Sequence, residues 1–335
     1  MNVKLTVLLL AAVPALFVWP APEVSADDDD RIIVTFIGTG SPRINRERSG
    51  PSILVEAGER RFLVDVGPGA RDRIHLAGGF ELISEIDHIL LTHLHYDHMA
   101  NVPDMWIAGW LYGRSTPLRV QGPTGTEDSI GHLQAAYAWD VDYRIAVGIP
   151  PDGSVMWAED VTPGVVYNES GVKITAFEVD HLPIDPVTEE SLGFEGLTLG
   201  YRVDYRGRSV VLSGDTRSTS TGAINEVSRG VDLLIHETKI PDGAARTAVS
   251  LTVHTTPKQA GELFSRTKPG MAVYSHIIPP ETTPEELIGY TRPYYDGPVT
   301  VAHDLMEIRL RGDSEIIVGE RERTGTVSYH QPDRQ

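Results

Sequence analysis

Residues 90–98 read "LLTHLHYDH". The apolar positions just ahead, Ile86, Ile89, Leu90 and Leu91, have the continuous pattern of a strand buried on both faces. At the end of that strand stand His93, His95, Asp97 and His98, in a chain with 12 histidines in all. A lone histidine is more often structural than a ligand. Four imidazole and carboxylate donors in six consecutive positions are different, because they repel one another once protonated. A divalent cation removes that cost by displacing the protons. The chain has no cysteine, so any site here is built from nitrogen and oxygen donors, a set that suits zinc and also iron or manganese.

The same design recurs downstream. "VKITAFEVDH" is an apolar strand ending in His181. "LTLGYRVDYRGRSVVLSGDT" is a hairpin turning at "YRGR" and ending in Asp215. "VDLLIHET" ends in Glu237, and "MAVYSH" ends in His276. Helices fall between the strands. "PDMWIAGWLYG" has Pro103 near its first turn, "TEDSIGHLQAAYAWD" has Thr124 or Thr126 as N-cap, and "TPKQAGELFSRTKPG" has Thr256 as N-cap with Pro257 following. Strands alternating with helices predict an α/β layered fold, in which chemistry gathers at the C-terminal ends of strands.

"THLHYDH" resembles the H-x-H-x-D-H motif of the metallo-β-lactamase fold superfamily, and His181, Asp215 and His276 follow in that superfamily's order. The resemblance runs from "FIGTGSP" to "HDLMEI". It implies a four-layer αββα sandwich of two mixed β-sheets flanked by helices. It also implies two Zn2+ per chain, with Mn2+ or Fe2+ as alternatives. His93, His95 and His181 would hold one ion, and Asp97, His98 and His276 the other. Asp215 would bridge them, with a hydroxide between the ions as nucleophile. "VDLLIHET", "HTTPKQAGELF" and "YSH" resemble the ribonuclease Z branch, and "GTGSP" and "VDVGPGA" are similar to its exported arylsulfatase-like relatives. In that branch the match to His254 acts near the leaving group, supported by the match to Glu237. The chemistry is sound, since a histidinium can protonate a departing oxygen and a neighbouring glutamate raises its pKa. Asp97, His254 and Glu237 are therefore the catalytic candidates. His236, in the same strand, reads as a structural neighbour.

Composition narrows the substrate. The first 26 residues read as a signal peptide: Lys4, an apolar run of 15 residues from Leu5 to Trp19, then "VSA" before "DDDD". The run is shorter than the roughly 20 residues of a membrane span. The expectation is an exported, periplasmic or secreted protein, cleaved near Ala26, with residues 27–335 as a single hydrolase domain and no stable membrane insertion. The formal net charge is −18, and the interval before "EVDH" is acidic where the ribonuclease carries a basic arm. Neither tRNA nor any other nucleic acid is expected as partner. A small anionic ester, aryl sulfate or phosphodiester, is expected instead, and a homodimer is left open. The alternatives are a lactonase or β-lactamase acting at a carbonyl on the same metals, and a non-catalytic exported metal binder.

Several side chains remain ambiguous. Trp106, Trp110 and Tyr112, then Tyr137, Trp139 and Tyr143, have helical spacing that favours core packing over the wall of a cleft. Asp140, Asp142 and Arg144 could stand at a pocket rim. His303 and Asp304 read equally as supports of the metal ligands or as turn residues. "GTGSP" matches no phosphate-binding fingerprint and reads as a tight turn near the site.

Overall fold

The computed structural model describes residues 30–182, 184, 185, 188, 190, 198–240, 250–312 and 314–321. The proposed signal peptide and its cleavage site lie outside the described residues. No helix among the described residues is long and apolar enough to cross a membrane.

The strands in chain order are β1 (Asp30–Gly38), β2 (Ser52–Ala57), β3 (Arg60–Val64), β4 (His88–Leu90), β5 (Leu118–Gly122), β6 (Met156–Asp160), β7 (Gly164–Glu169), β8 (Val172–Val179), β9 (Thr198–Tyr205), β10 (Arg208–Leu212), β11 (Leu233–Lys239), β12 (Met271–Ile278), β13 (Val299–Val301), β14 (Met306–Arg311) and β15 (Ile316–Glu320). They form two mixed sheets, ordered β15-β14-β1-β2-β3-β4-β5-β6 and β13-β12-β11-β10-β9-β8-β7. β3, β4, β5 and β6 run parallel, as do β10, β11, β12 and β13.

Alternation along the strands creates the layers. Ile32, Val34 and Phe36 of β1 pack with Val210 and Leu212 of β10, Leu233 and Ile235 of β11, and Val273 of β12, forming the core between the sheets. The intervening residues, Val211, Leu234, Ala272 and Tyr274, face outward onto the helix Pro257–Thr267. On the far side, Leu54, Leu63 and Ile89 pack against α1 (Ala70–Glu85) and α3 (Val102–Leu111). A strand that is apolar on both faces must be covered on both, so the expected four-layer αββα sandwich follows. α1 is broken at Gly78–Gly79, where Gly79 takes φ 71°.

Two helix starts differ in kind. Thr256 caps its helix as expected, in a full capping box with Gln259 and with Pro257 in the first turn. Neither threonine caps α4 (Thr126–Ala146), whose N-cap is Gly125. Instead the Asp160 carboxylate at the end of β6 accepts from Gly125 N at 2.9 Å and Glu127 N at 2.9 Å. The capping group comes from a different element, so a local reading could not find it.

The aromatic residues divide. Trp106 and Trp110 are buried, as helical spacing predicts, and their indole N–H groups donate to Ser154 O (2.9 Å) and Pro150 O (2.7 Å). Tyr112, Tyr137, Trp139 and Tyr143 are exposed, Trp139 to 76%, contrary to the core-packing expectation. α4 buries only Thr126 and Ile130, so most of its surface has no covering layer.

Candidate metal centre

β4 leads through Thr92 into the motif loop, and the short helix α2 (Tyr96–Met99) carries Asp97 and His98 inward. Neighbouring chain must approach closely. A Cβ on Gly67 would lie 2.4 Å from Asp97 O, and one on Gly214 would lie 2.9 Å from both Leu199 O and Thr92 Cβ. The sheets are tied here by Leu199 N donating to Thr92 O (2.8 Å) and Tyr201 Oη donating to Leu91 O (2.7 Å). β8, β10 and β12 then deliver His181, Asp215 and His276 from the second sheet.

The structure brings all seven expected ligands together. Single donor atoms of His93, His95 and His181 lie within 4.8 Å of one another, and so do those of Asp97, His98 and His276. Asp215 Oδ2 stands between the groups, 3.5 Å from His98 Nε2, 3.3 Å from His276 Nε2 and 3.9 Å from His181 Nε2. All are buried except His95, which sits exposed at the mouth.

The residues fit a metal pair on a direct test. Among the described buried side-chain atoms with no hydrogen-bond partner, Asp97 Oδ2, His98 Nε2, Asp215 Oδ1 and both His276 ring nitrogens fall in this one cluster. Buried polar atoms are ordinarily paired, so several unpaired ones gathered in one cluster of histidines and aspartates fit a cation site. The second ring nitrogens are held separately: His181 Nδ1 donates to Val253 O (2.8 Å), and His98 Nδ1 donates to Asp65 Oδ2 (2.9 Å). Such contacts fix which nitrogen faces an ion.

The two groups differ electrostatically: burial acts downward on His98, but Asp215 and Asp65 raise it well above its ordinary pKa. Burial pushes His93 well below its ordinary pKa and holds His181 down to about 4. Burial also lowers His95. These three are neutral imidazoles, the form that ligates. For Asp215 burial acts upward, but His276 and His98 beside it hold it well below the usual carboxylate range.

Glu237 and His254 meet as expected, with His254 Nδ1 3.3 Å from Glu237 Oε1. Burial opposes protonation of His254, yet the Glu237 carboxylate outweighs it and the pKa is raised. Glu237 Oε1 also accepts from Thr216 N (3.2 Å) and Thr255 N (2.9 Å), so it pins the segments that carry Asp215 and His254. His236 is fully buried between Ser218 Oγ (2.8 Å from Nε2) and Glu237 O (2.7 Å from Nδ1), inside the wall.

The cavity over this cluster measures about 530 Å³, and its described lining includes Ser41, Arg43, His95, His254 and Lys239. "GTGSP" does reach the site, through Ser41 and Pro42. Asp140, Asp142 and Arg144 do not line it; Arg144 pairs with Asp140 along α4 at 2.7 Å. His303 faces Glu320 at 3.0 Å. Asp304 touches no ligand. It accepts from Thr39 N (3.0 Å), Thr39 Oγ1 (2.8 Å) and Ser49 N (2.7 Å), anchoring the loop that carries Arg43.

The residue that sequence reasoning passed over is Asp65. Buried, it accepts from Thr92 N (2.8 Å) and Thr92 Oγ1 (2.9 Å) as well as from His98, and so holds the motif loop from behind. Its φ of 58° lies in the left-handed region, a conformation costing about 1–2 kcal/mol in a non-glycine residue. The available signal was a carboxylate ending the strand "RRFLVDVG", the same pattern that identified Asp215.

Comparison with known proteins agrees with this geometry. Residues 60–277 match the family described as "Beta-lactamase superfamily domain". Ribonuclease Z of Mycobacterium sp. (strain KMS) is 35% identical over 261 residues, 74% of this chain and 85% of that protein. Two solved structures share the fold at a TM-score of 0.61. The metallo-β-lactamase fold protein YhfI from Bacillus subtilis is 18% identical over 82% of this chain and 98% of its own. The short form of human tRNase Z is 20% identical, also over 82% and 98%. The expectation that tRNA and other nucleic acids are excluded is thereby overturned, since relatives at this identity are ribonucleases. The error was physical. A net charge of −18 is summed over the whole surface, whereas in salt a ligand feels charges within a Debye length of about 8–10 Å. The loop "SPRINRERS" brings Arg43 to this cavity.

The chain belongs to the metallo-β-lactamase superfamily, is related to ribonuclease Z, and is a hydrolase of that family.

Proposed function

We propose that this hydrolase cleaves phosphodiester bonds, with nucleic acid as the substrate class. Two zinc ions would be held by His93, His95 and His181 and by Asp97, His98 and His276, with Asp215 shared. The observation that carries the reading is the convergence of seven histidine and aspartate side chains, several with unpaired buried atoms, with five of them lining one cavity. Bound there, divalent ions acidify water and neutralise charge on phosphoryl oxygens.

The chain's own residues supply the rest. Asp65 and the Val253 carbonyl fix the orientation of His98 and His181. His254 lines the cavity and carries a raised pKa, so at neutral pH it can hold the proton that a departing oxygen needs. Glu237 keeps that proton in place and holds His254 in position. The aryl sulfate expectation uses the same chemistry on another tetrahedral centre and serves as the competing arm of the test. The apolar leader supports export, which N-terminal sequencing of the mature protein checks.

The deciding experiment compares kcat/KM of zinc-loaded protein on a tRNA-containing transcript, bis(p-nitrophenyl) phosphate, p-nitrophenyl sulfate and a lactone. Turnover of one or both phosphodiesters above the sulfate and the lactone is expected. A higher kcat/KM on the sulfate or the lactone overturns the proposal.

A further inference from the structure

His254 stands between Asp215 and its own support. Its Nδ1 lies 3.9 Å from Asp215 Oδ2 and 3.3 Å from Glu237 Oε1. A proton donor works only when its place relative to the departing oxygen is held. The next side chain, Thr255, is fully buried and belongs neither to the donor cluster nor to the described lining of the cavity.

The Thr255 hydroxyl makes two bonds at once. Oγ1 donates to Thr216 O at 2.6 Å and accepts from Ser218 N at 2.9 Å. These backbone groups flank Arg217, so one side-chain oxygen grips the segment that follows Asp215 at two points. The backbone of Thr255 is held as well: its N–H donates to Glu237 Oε1 (2.9 Å), and its O accepts from Lys239 N (2.8 Å). Ser218 Oγ in turn meets His236 Nε2 (2.8 Å), and His236 Nδ1 donates to Glu237 O (2.7 Å). The circuit closes on itself through buried groups, and buried hydrogen bonds are costly to leave unmade. Immediately after Thr255 the chain is fixed again by the capping box at Thr256. Unlike Glu237, the hydroxyl carries no charge, so it acts on His254 through position alone.

Resting on the reading of His254 as proton donor in phosphodiester cleavage, we propose that Thr255 is a positioning residue. Its hydroxyl ties the segment after Asp215 to the one presenting His254 and so fixes the donor over the site. The device matters for diesters whose leaving oxygen is a sugar hydroxyl, which needs a proton to depart, and hardly for activated aryl esters.

The test uses the zinc-loaded full chain and two diesters that share a uridine 5′-phosphoryl group, uridine 5′-(p-nitrophenyl phosphate) and the dinucleotide UpU. The nitrophenolate departs unaided, whereas the sugar oxygen of UpU needs the proton. Thr255→Val keeps the shape and removes the hydroxyl. It is expected to lower kcat on UpU by about 10–100-fold, the reach of a misplaced donor. On the nitrophenyl ester the loss should be less than about threefold, with KM and bound metal unchanged on both. Amide exchange at Ser218 should quicken, because its acceptor is gone. Thr255→Ser should restore both readouts. Equal losses on the two diesters, a loss carried by KM or by bound metal, no loss on UpU, or no rescue by serine overturns the proposal. If Thr255→Val does not fold, Thr255→Ala is put through the same comparison. If wild type cleaves neither diester, the phosphodiesterase reading fails. Exchange at Ser218 then still decides the placement, and an unchanged rate in Thr255→Val overturns the proposal on its own.

Discussion

His93, His95, Asp97 and His98 arrive on one continuous loop, whereas His181, Asp215 and His276 arrive on three separate strand ends of the opposite sheet. The first group is shaped locally: β4 ends, the chain turns, and a single turn of helix aims Asp97 and His98 inward while Asp65 holds the loop from behind. The second group depends on strand register and on contacts between segments remote in sequence, such as His181 with Val253 O and Glu237 with Thr216 N and Thr255 N. Metal held there would bond to both groups at once. The centre is thus a joint between the two sheets as well as a site of chemistry, with Asp215 reaching residues of both.

That contrast can be broken experimentally, beginning with the largest effect. Asp215→Ala is expected to bring phosphodiester turnover to background and to lower bound metal, read by elemental analysis. Full metal content with near-normal turnover would show that the two groups work independently. His254→Ala is expected to reduce kcat by about 10²–10⁴-fold, the range of one general acid, with metal content unchanged. Loss of metal in that variant would make His254 a ligand.

Asp65→Asn probes the local half. It should weaken metal affinity by about 10–100-fold, as removal of a ligand's supporting partner does, and chelator competition measures this. An unchanged metal affinity would show that the motif loop holds its ligands without Asp65. Glu237→Gln keeps an oxygen to accept the two backbone N–H groups but removes the charge that raises the His254 pKa. The protonated acid is then lost at lower pH, so the alkaline limb of the pH–rate profile moves down. An unmoved limb would assign that limb to another group. Tyr201→Phe is expected to have the smallest effect. Losing the bond to Leu91 O across the sheets should cost about 1 kcal/mol of stability, seen as a small drop in Tm, with metal content retained.

How legible each part was in the sequence follows the same division. "THLHYDH" was readable because its donors are consecutive. His181, Asp215 and His276 were readable as polar ends of apolar strands, although nothing local to them showed that they meet. Asp65 had that same pattern and was passed over, since a single carboxylate before a glycine turn has many uses. The exposed aromatic residues of α4 misled, because helical spacing describes a face without showing whether anything covers it. Net charge misled about nucleic acid, because it averages over distances at which salt screens the field.

The sequence by itself determined the donor types, the absence of thiol chemistry, the layered α/β class and the apolar strands on whose ends the chemistry stands. These rest on residue identity and short-range periodicity. Only the tertiary structure decided that seven donor side chains converge, that Asp65 stands behind His98, and that Asp160 caps α4 from another strand. Each of these depends on which strands become neighbours, and that is set by burial summed over the whole chain rather than by any one segment.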